Sequence, residues 1–163
     1  FSDTISFNVA MGIQSSDEAL HAAIRLAHFD QVLAKLPKGL DSSISEKGVS
    51  LSGGEKQRLA LARGLFFVED ADSQIVLLDE PTSSVDVFNE KLIYEDVLRK
   101  YRDRCVISAI HKFNLLHLFD EIVVFANGRI VESGTLAELS SRNGEFARIA
   151  GLHQHGLVEK VSA

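Results

Sequence analysis

Apolar residues in this chain change their spacing about halfway along. In the first third they recur at helical intervals, through Leu20, Ile24 and Ala27, behind Ser15 and Glu18 at capping-box spacing. A second short helix is expected from near Asp30 to Pro37, where proline ends it. Residues 38–50, KGLDSSISEKGVS, are rich in Gly and Ser and predict a loop. Ser52 and Glu55 repeat the capping-box spacing. They open a helix predicted to run to about Phe67, with Leu59, Ala62 and Phe66 on one face.

The pattern then turns strand-like. QIVLLDE is an unbroken apolar run ending in two carboxylates, which predicts a strand buried on both faces, as in a parallel sheet under helices. A helix is expected over Val87 to Tyr101, then a second buried strand over CVISAI. In EIVVFANGRIVES two β-rich runs flank Asn127-Gly128, the favoured pair for a two-residue hairpin turn. Short helices follow at Leu136 to Ser141 and Glu145 to Ala150, and the tail after Gly151 reads as loose. Helices first, then strand–helix–strand, then a hairpin make an α/β fold with a helical subdomain on its N-terminal side. The expected division is residues 1–67, residues 68–151 and a tail at 152–163.

Composition narrows the function classes. The 163 residues can build one real core, and 45% hydrophobic with 25% charged residues is ordinary globular usage. A net charge of −6 argues against broad binding to a nucleic-acid backbone. The single cysteine, Cys105, excludes an internal disulfide framework and, inside its apolar run, is expected to be a buried structural thiol. The longest apolar run, IVVFA, is far too short for a bilayer span of about 20 residues. The chain begins with Phe1 and has no signal-peptide pattern, so it is expected to be a piece of a longer domain.

Three groups of residues carry chemistry. A helix N-terminus leaves backbone N–H groups unpaired and carries about half a positive charge. Gly53 and Gly54 lack a Cβ and Ser52 offers a hydroxyl, so VSLSGGEKQRLALARG can make an anion socket; on spacing alone, simple capping by Ser52 suffices as well. Asp79 and Glu80 end a predicted strand, at the sheet edge where α/β proteins bind ligands. Their side chains alternate and so suit different tasks: Asp79 to hold magnesium through water, Glu80 to deprotonate an attacking water. His111 follows the second strand, where it can donate to a transferred phosphate. His21, His28, His117, His153 and His155 are read as structural or surface residues.

Together these stretches resemble the nucleotide-binding domain of ATP-binding cassette (ABC) transporters, over about Phe1 to Gly151. LSGGEKQRLALARG resembles the family signature, IVLLDE the Walker B strand, SSVD the D-loop and AIH the switch histidine. DEIVVFANGRIVESGTLAEL is similar to the closing hairpin and helix, and FSDTISFNV with LPKGLDSSISEKGVSLSGG to exporter-type cassettes. Glu55 replaces the commoner glutamine. No Gly-Lys-Ser or Gly-Lys-Thr of a Walker A loop occurs, and the adenine-stacking aromatic and Q-loop glutamine are also missing; in family order all three lie upstream of Phe1.

The resemblance implies an incomplete P-loop NTPase-like ABC ATPase core with a mostly parallel sheet, using ATP and Mg²⁺. Ser52, Gly53, Gly54 and Glu55 would cap the ATP of a second cassette in trans. Asp79 (through water, on Mg²⁺), Glu80 and His111 would serve the chain's own ATP. Ser84 and Asp86 would lie at the dimer seam, and the region from Glu46 to Gly48 would touch a transmembrane domain. The domain would sit on the cytoplasmic face of a membrane, coupling hydrolysis to transport. A head fragment of a DNA-repair or chromosome-maintenance ATPase is the rival reading, although no heptad pattern supports its coiled coil. The isolated chain is expected to hydrolyse no ATP.

Overall fold

A computed structural model describes residues 1–44 and 49–151. Glu46 and Gly48, expected to meet a membrane domain, lie outside the described residues, as does the tail at 152–163. The chain divides into two compact units, Phe1–Ala109 and Ile110–Ala163.

The first unit opens with α1 (Ile5–Ala10), a helix that the hydrophobic spacing did not announce. Thr4 starts it by accepting from the Phe7 N–H at 3.1 Å. Its inner face carries Asn8, whose amide donates to the Thr4 carbonyl at 2.9 Å, so a buried polar group is satisfied. Helix α2 (Asp17–Leu26) is present, but its cap is Ser16, which accepts from Ala19 N–H; the Ser15–Glu18 box does not form. Only Ser15 has a glutamate three residues on, but either serine can cap by its hydroxyl alone, and it is Ser16, in the extended backbone of a cap, that does. A single turn, α3 (Asp30–Leu33), follows, and a 3₁₀ turn at Gly39–Asp41 interrupts the expected loop.

Helix α4 (Gly53–Asp70) is the spine of this unit, packing on α1 and α2. Ile5, Val9, Ile24, Phe29 and Leu65 are almost wholly buried in the resulting core. Arg63 on α4 donates to the Asn8 carbonyl at 2.7 Å and ties α1 down. Strand β1 (Ile75–Asp79) pairs in parallel with β2 (Cys105–Ala109), Ile75 opposite Cys105 and Asp79 opposite Ala109, with α5 (Val87–Lys100) as the crossover. The expectation of two buried faces is corrected. Val76 and Leu78 are buried, but Leu77 is 74% exposed and Ile107 51%, because no element among the described residues of this unit covers that face. Cys105 is likewise exposed, not a buried thiol.

The second unit is built on the hairpin of β3 (Ile122–Ala126) and β4 (Arg129–Gly134). Asn127 and Gly128 both take positive φ, 51° and 73°, as a type I′ turn requires. Helix α6 (Leu136–Ser141) starts at a Thr135–Glu138 capping box, and residues 145–151 form a final helix. Ile122, Val124, Leu139 and Phe146 make the core. Glu132 on β4 accepts from Phe146 N–H at 2.6 Å, fastening that last helix to the hairpin. A Cβ at Gly144 would fall on the same carboxylate.

Candidate functional site

The tip of α4 forms the predicted capping box in full. Ser52 Oγ accepts from Glu55 N–H at 3.3 Å, and the Glu55 carboxylate accepts from Ser52 N–H at 2.7 Å. That backbone bond, then the side-chain bond to Ser52, holds the Glu55 carboxyl below its ordinary range, so it is ionised. The box uses the Ser52 and Glu55 N–H groups. Helix geometry leaves those of Gly53 and Gly54 without intrahelical acceptors, while the Ser52 hydroxyl is engaged with Glu55. A Cβ at Gly53 would meet nothing within 4 Å, so the tip is open to an approaching anion there. Gly54 differs: its Cβ would meet the Ser84 carbonyl oxygen at 2.7 Å. That glycine lets α4 lie directly against the loop that follows β1.

The same loop carries the acids. Asp79 is the last residue of β1, exposed at its carboxyl end, and Glu80 follows with φ of 42°. Left-handed backbone is uncommon for a non-glycine residue and costs on the order of 1–3 kcal/mol, so neighbouring structure must hold it. Beyond Pro81, Thr82 is buried and donates to Glu90 Oε1 at 2.7 Å, rooting the loop in α5. Asp86 is exposed and caps α5, accepting from Asn89 N–H at 3.0 Å and from its amide at 2.6 Å. The Asn89 side chain, then its backbone, holds the Asp86 carboxyl below its usual value.

Gln57 joins tip and loop. Its Nε2 donates to the Glu80 carbonyl at 2.9 Å and to Ser83 Oγ at 2.8 Å, while its Oε1 accepts from Ser84 N–H at 2.7 Å. Sequence reasoning passed this residue over. The available signal was its position one turn beyond Gly53, on the same face of α4 as the socket.

The structure therefore sets the start of α4 against the loop after β1, through Gly54 on Ser84 and Gln57 on Glu80, Ser83 and Ser84, with Asp79 just ahead of that loop in the chain. His111 is exposed and belongs to the second unit, just ahead of a 3₁₀ turn at Phe113–Leu118. Among the described residues no three acids, histidines or cysteines gather as a metal cage. A lone exposed Asp79 fits a magnesium ion held mainly by water and phosphate. A groove of about 640 Å³ between α2, α4 and α5 is lined by none of the predicted site residues. No helix among the described residues is long and apolar enough to cross a membrane.

A family model described as ABC transporter matches residues 4–83. The chain is 37% identical over 155 residues to the ATP-dependent lipid A-core flippase of Chromohalobacter salexigens, covering 94% of this chain and 26% of that protein. It is 32% identical over 164 residues to the mitochondrial iron-sulfur clusters transporter atm1 of Aspergillus fumigatus, covering 99% of this chain and 22% of that one. The structure of a bacterial Atm1-family ABC exporter with ATP bound superposes with a TM-score of 0.82 at 34% identity, over 94% of this chain and 26% of its own. The chain thus spans about a quarter of the length of the curated relatives it matches.

Proposed function

This chain belongs to the ABC transporter family, and from that premise we propose that it forms the signature and hydrolytic part of an exporter-type ATP-binding cassette. In this reading ATP is the substrate, a second cassette is the partner and a membrane domain does the transport. Residues 1–67 are the signature subdomain, residues 68–151 the Walker B, D-loop and H-loop part.

Ser52, Gly53 and Gly54 meet the γ-phosphate held by the partner cassette, and the open space at Gly53 supports that close approach. Ser84 and Asp86 face the seam between cassettes. Glu80 acts on the ATP bound by its own cassette. Its carboxylate takes a proton from a water whose oxygen forms the new bond to the γ-phosphorus; the bond to the β–γ bridging oxygen breaks, and ADP and phosphate leave. Asp79 would hold Mg²⁺ through water, and the ion, when bound, would offset charge on the phosphates. His111 would donate a hydrogen bond to the transferred phosphate, and the region around Glu46 to Gly48 would meet the membrane domain on the cytoplasmic side. The relatives are transporters by name, which favours this reading over a DNA-repair head.

The observation that carries the proposal is the exposed Glu80 at the carboxyl edge of β1, held in left-handed backbone. In the intact protein Glu80→Gln should bind ATP and close the dimer yet lose turnover, by a factor of about 10²–10⁴ if the base is the whole effect. ATPase activity near wild type in that variant would remove Glu80 from the role of base.

A further inference from the structure

We propose that Gln57 is a positioning residue that holds the backbone of Glu80 in place and links it rigidly to the Ser52–Gly54 tip of the same chain. This rests on the reading of Glu80 as the base. Three observations converge on the residue. Its amide group makes three hydrogen bonds of 2.7 to 2.9 Å, all to the 80–84 loop, and so uses both its donor and its acceptor ends. One of those bonds ends on the carbonyl of Glu80, the residue whose own φ is left-handed and needs outside support. Beside it, the missing Cβ of Gly54 admits the Ser84 carbonyl, so helix and loop meet without a gap.

The consequence is specific. A shift of the α4 tip, as when a phosphate seats on Gly53, moves Gln57 one turn away, and with it the carbonyl of Glu80. In the proposed dimer the phosphate on the tip is the partner's, and the base serves the chain's own ATP. Gln57 therefore mechanically connects two nucleotides through one side chain. Misplacing a catalytic group by about 1 Å can cost on the order of 10²-fold, so a loosened Glu80 loses rate more than binding.

The test uses the intact transporter with Mg-ATP. Gln57→Met keeps side-chain length and removes all three bonds; Gln57→Glu keeps the shape and the acceptor for Ser84 N–H but removes both donors. For each variant kcat, KM and melting temperature are measured. The expected result is a fall in kcat of about 10- to 100-fold, with KM within about threefold and a melting temperature like wild type. Where Gln57→Met melts early, Gln57→Glu carries the test. Because the effect acts through Glu80, adding Gln57→Met to Glu80→Gln should lower the residual rate no further. Wild-type kcat in a well-folded variant overturns the inference, and so does a loss of kcat that only tracks a lower melting temperature. The two readings fail separately: if Glu80→Gln still turns over, the base assignment falls; if it is dead while Gln57→Met is fully active, only the linkage falls.

Discussion

At the scale of single residues, Glu55 has two opposed effects. Its carboxylate completes the cap of α4 but places a negative charge beside the tip we propose takes a phosphate. Since Ser52 N–H depresses its folded pKa, its contribution to stability is present above the ordinary value of 4.5 and is lost as pH falls through the folded value. Glutamine also completes a capping box but does not titrate. The difference in urea midpoint between wild type and Glu55→Gln, measured from pH 7 to pH 3, should therefore shift on acidification, with wild type losing ground; a constant difference contradicts this. Removing the charge should also lower KM for ATP by about threefold, the effect of roughly 0.7 kcal/mol between unit charges about 6 Å apart in water. The Ser52 box was legible because its spacing had one solution. Helix α2 offered two adjacent serines, and spacing chose the wrong one. Gln57 was illegible for a different reason: its partners lie 23 to 27 residues away, beyond any local pattern.

At the scale of elements, the two glycines that open α4 are not equivalent. Gly54→Ala forces a methyl onto the Ser84 carbonyl, and overpacking of this kind costs about 1–3 kcal/mol. A lower melting temperature and a lower kcat are expected together. Gly53→Ala meets no protein atom, so melting should be unchanged while ATP-driven closure of the dimer weakens. Thermal melts beside a closure assay separate the two; equal melting losses would remove the distinction. The strands show the limit of pattern reading. Apolar runs located β1 and β2, and Asn127-Gly128 located the hairpin to the residue. Yet an apolar run says that a strand can be covered on both faces, not that its own chain supplies the cover. Helix α1 escaped notice because six residues hold too few periods to display a stripe.

At the scale of the whole molecule, the relatives are about four times as long, and the exposed face of the parallel pair carries Ile75, Leu77 and Ile107. We expect the 163-residue chain alone to bind a hydrophobic dye, to self-associate and to show no ATP turnover. Leu77→Lys should reduce dye binding and association. Robust hydrolysis by the isolated chain would contradict the division of labour proposed for the cassette. Family membership was legible because several motifs stand in one order. The boundary at Ala109–Ile110 left no trace in composition, because it falls inside the apolar run CVISAI, with no glycine or proline to mark it.

Glu132 and Gly144 bring the chain's history into its chemistry. The carboxylate that fastens the last helix occupies the space a side chain at 144 would need. The constraint runs one way: a side chain gained at 144 would turn the Glu132 carboxylate aside and break its bond to Phe146, whereas a shorter residue at 132 meets no obstacle at 144. Among lineages descended from this chain, a residue other than glycine at 144 should therefore appear where the last helix is fastened by some other contact.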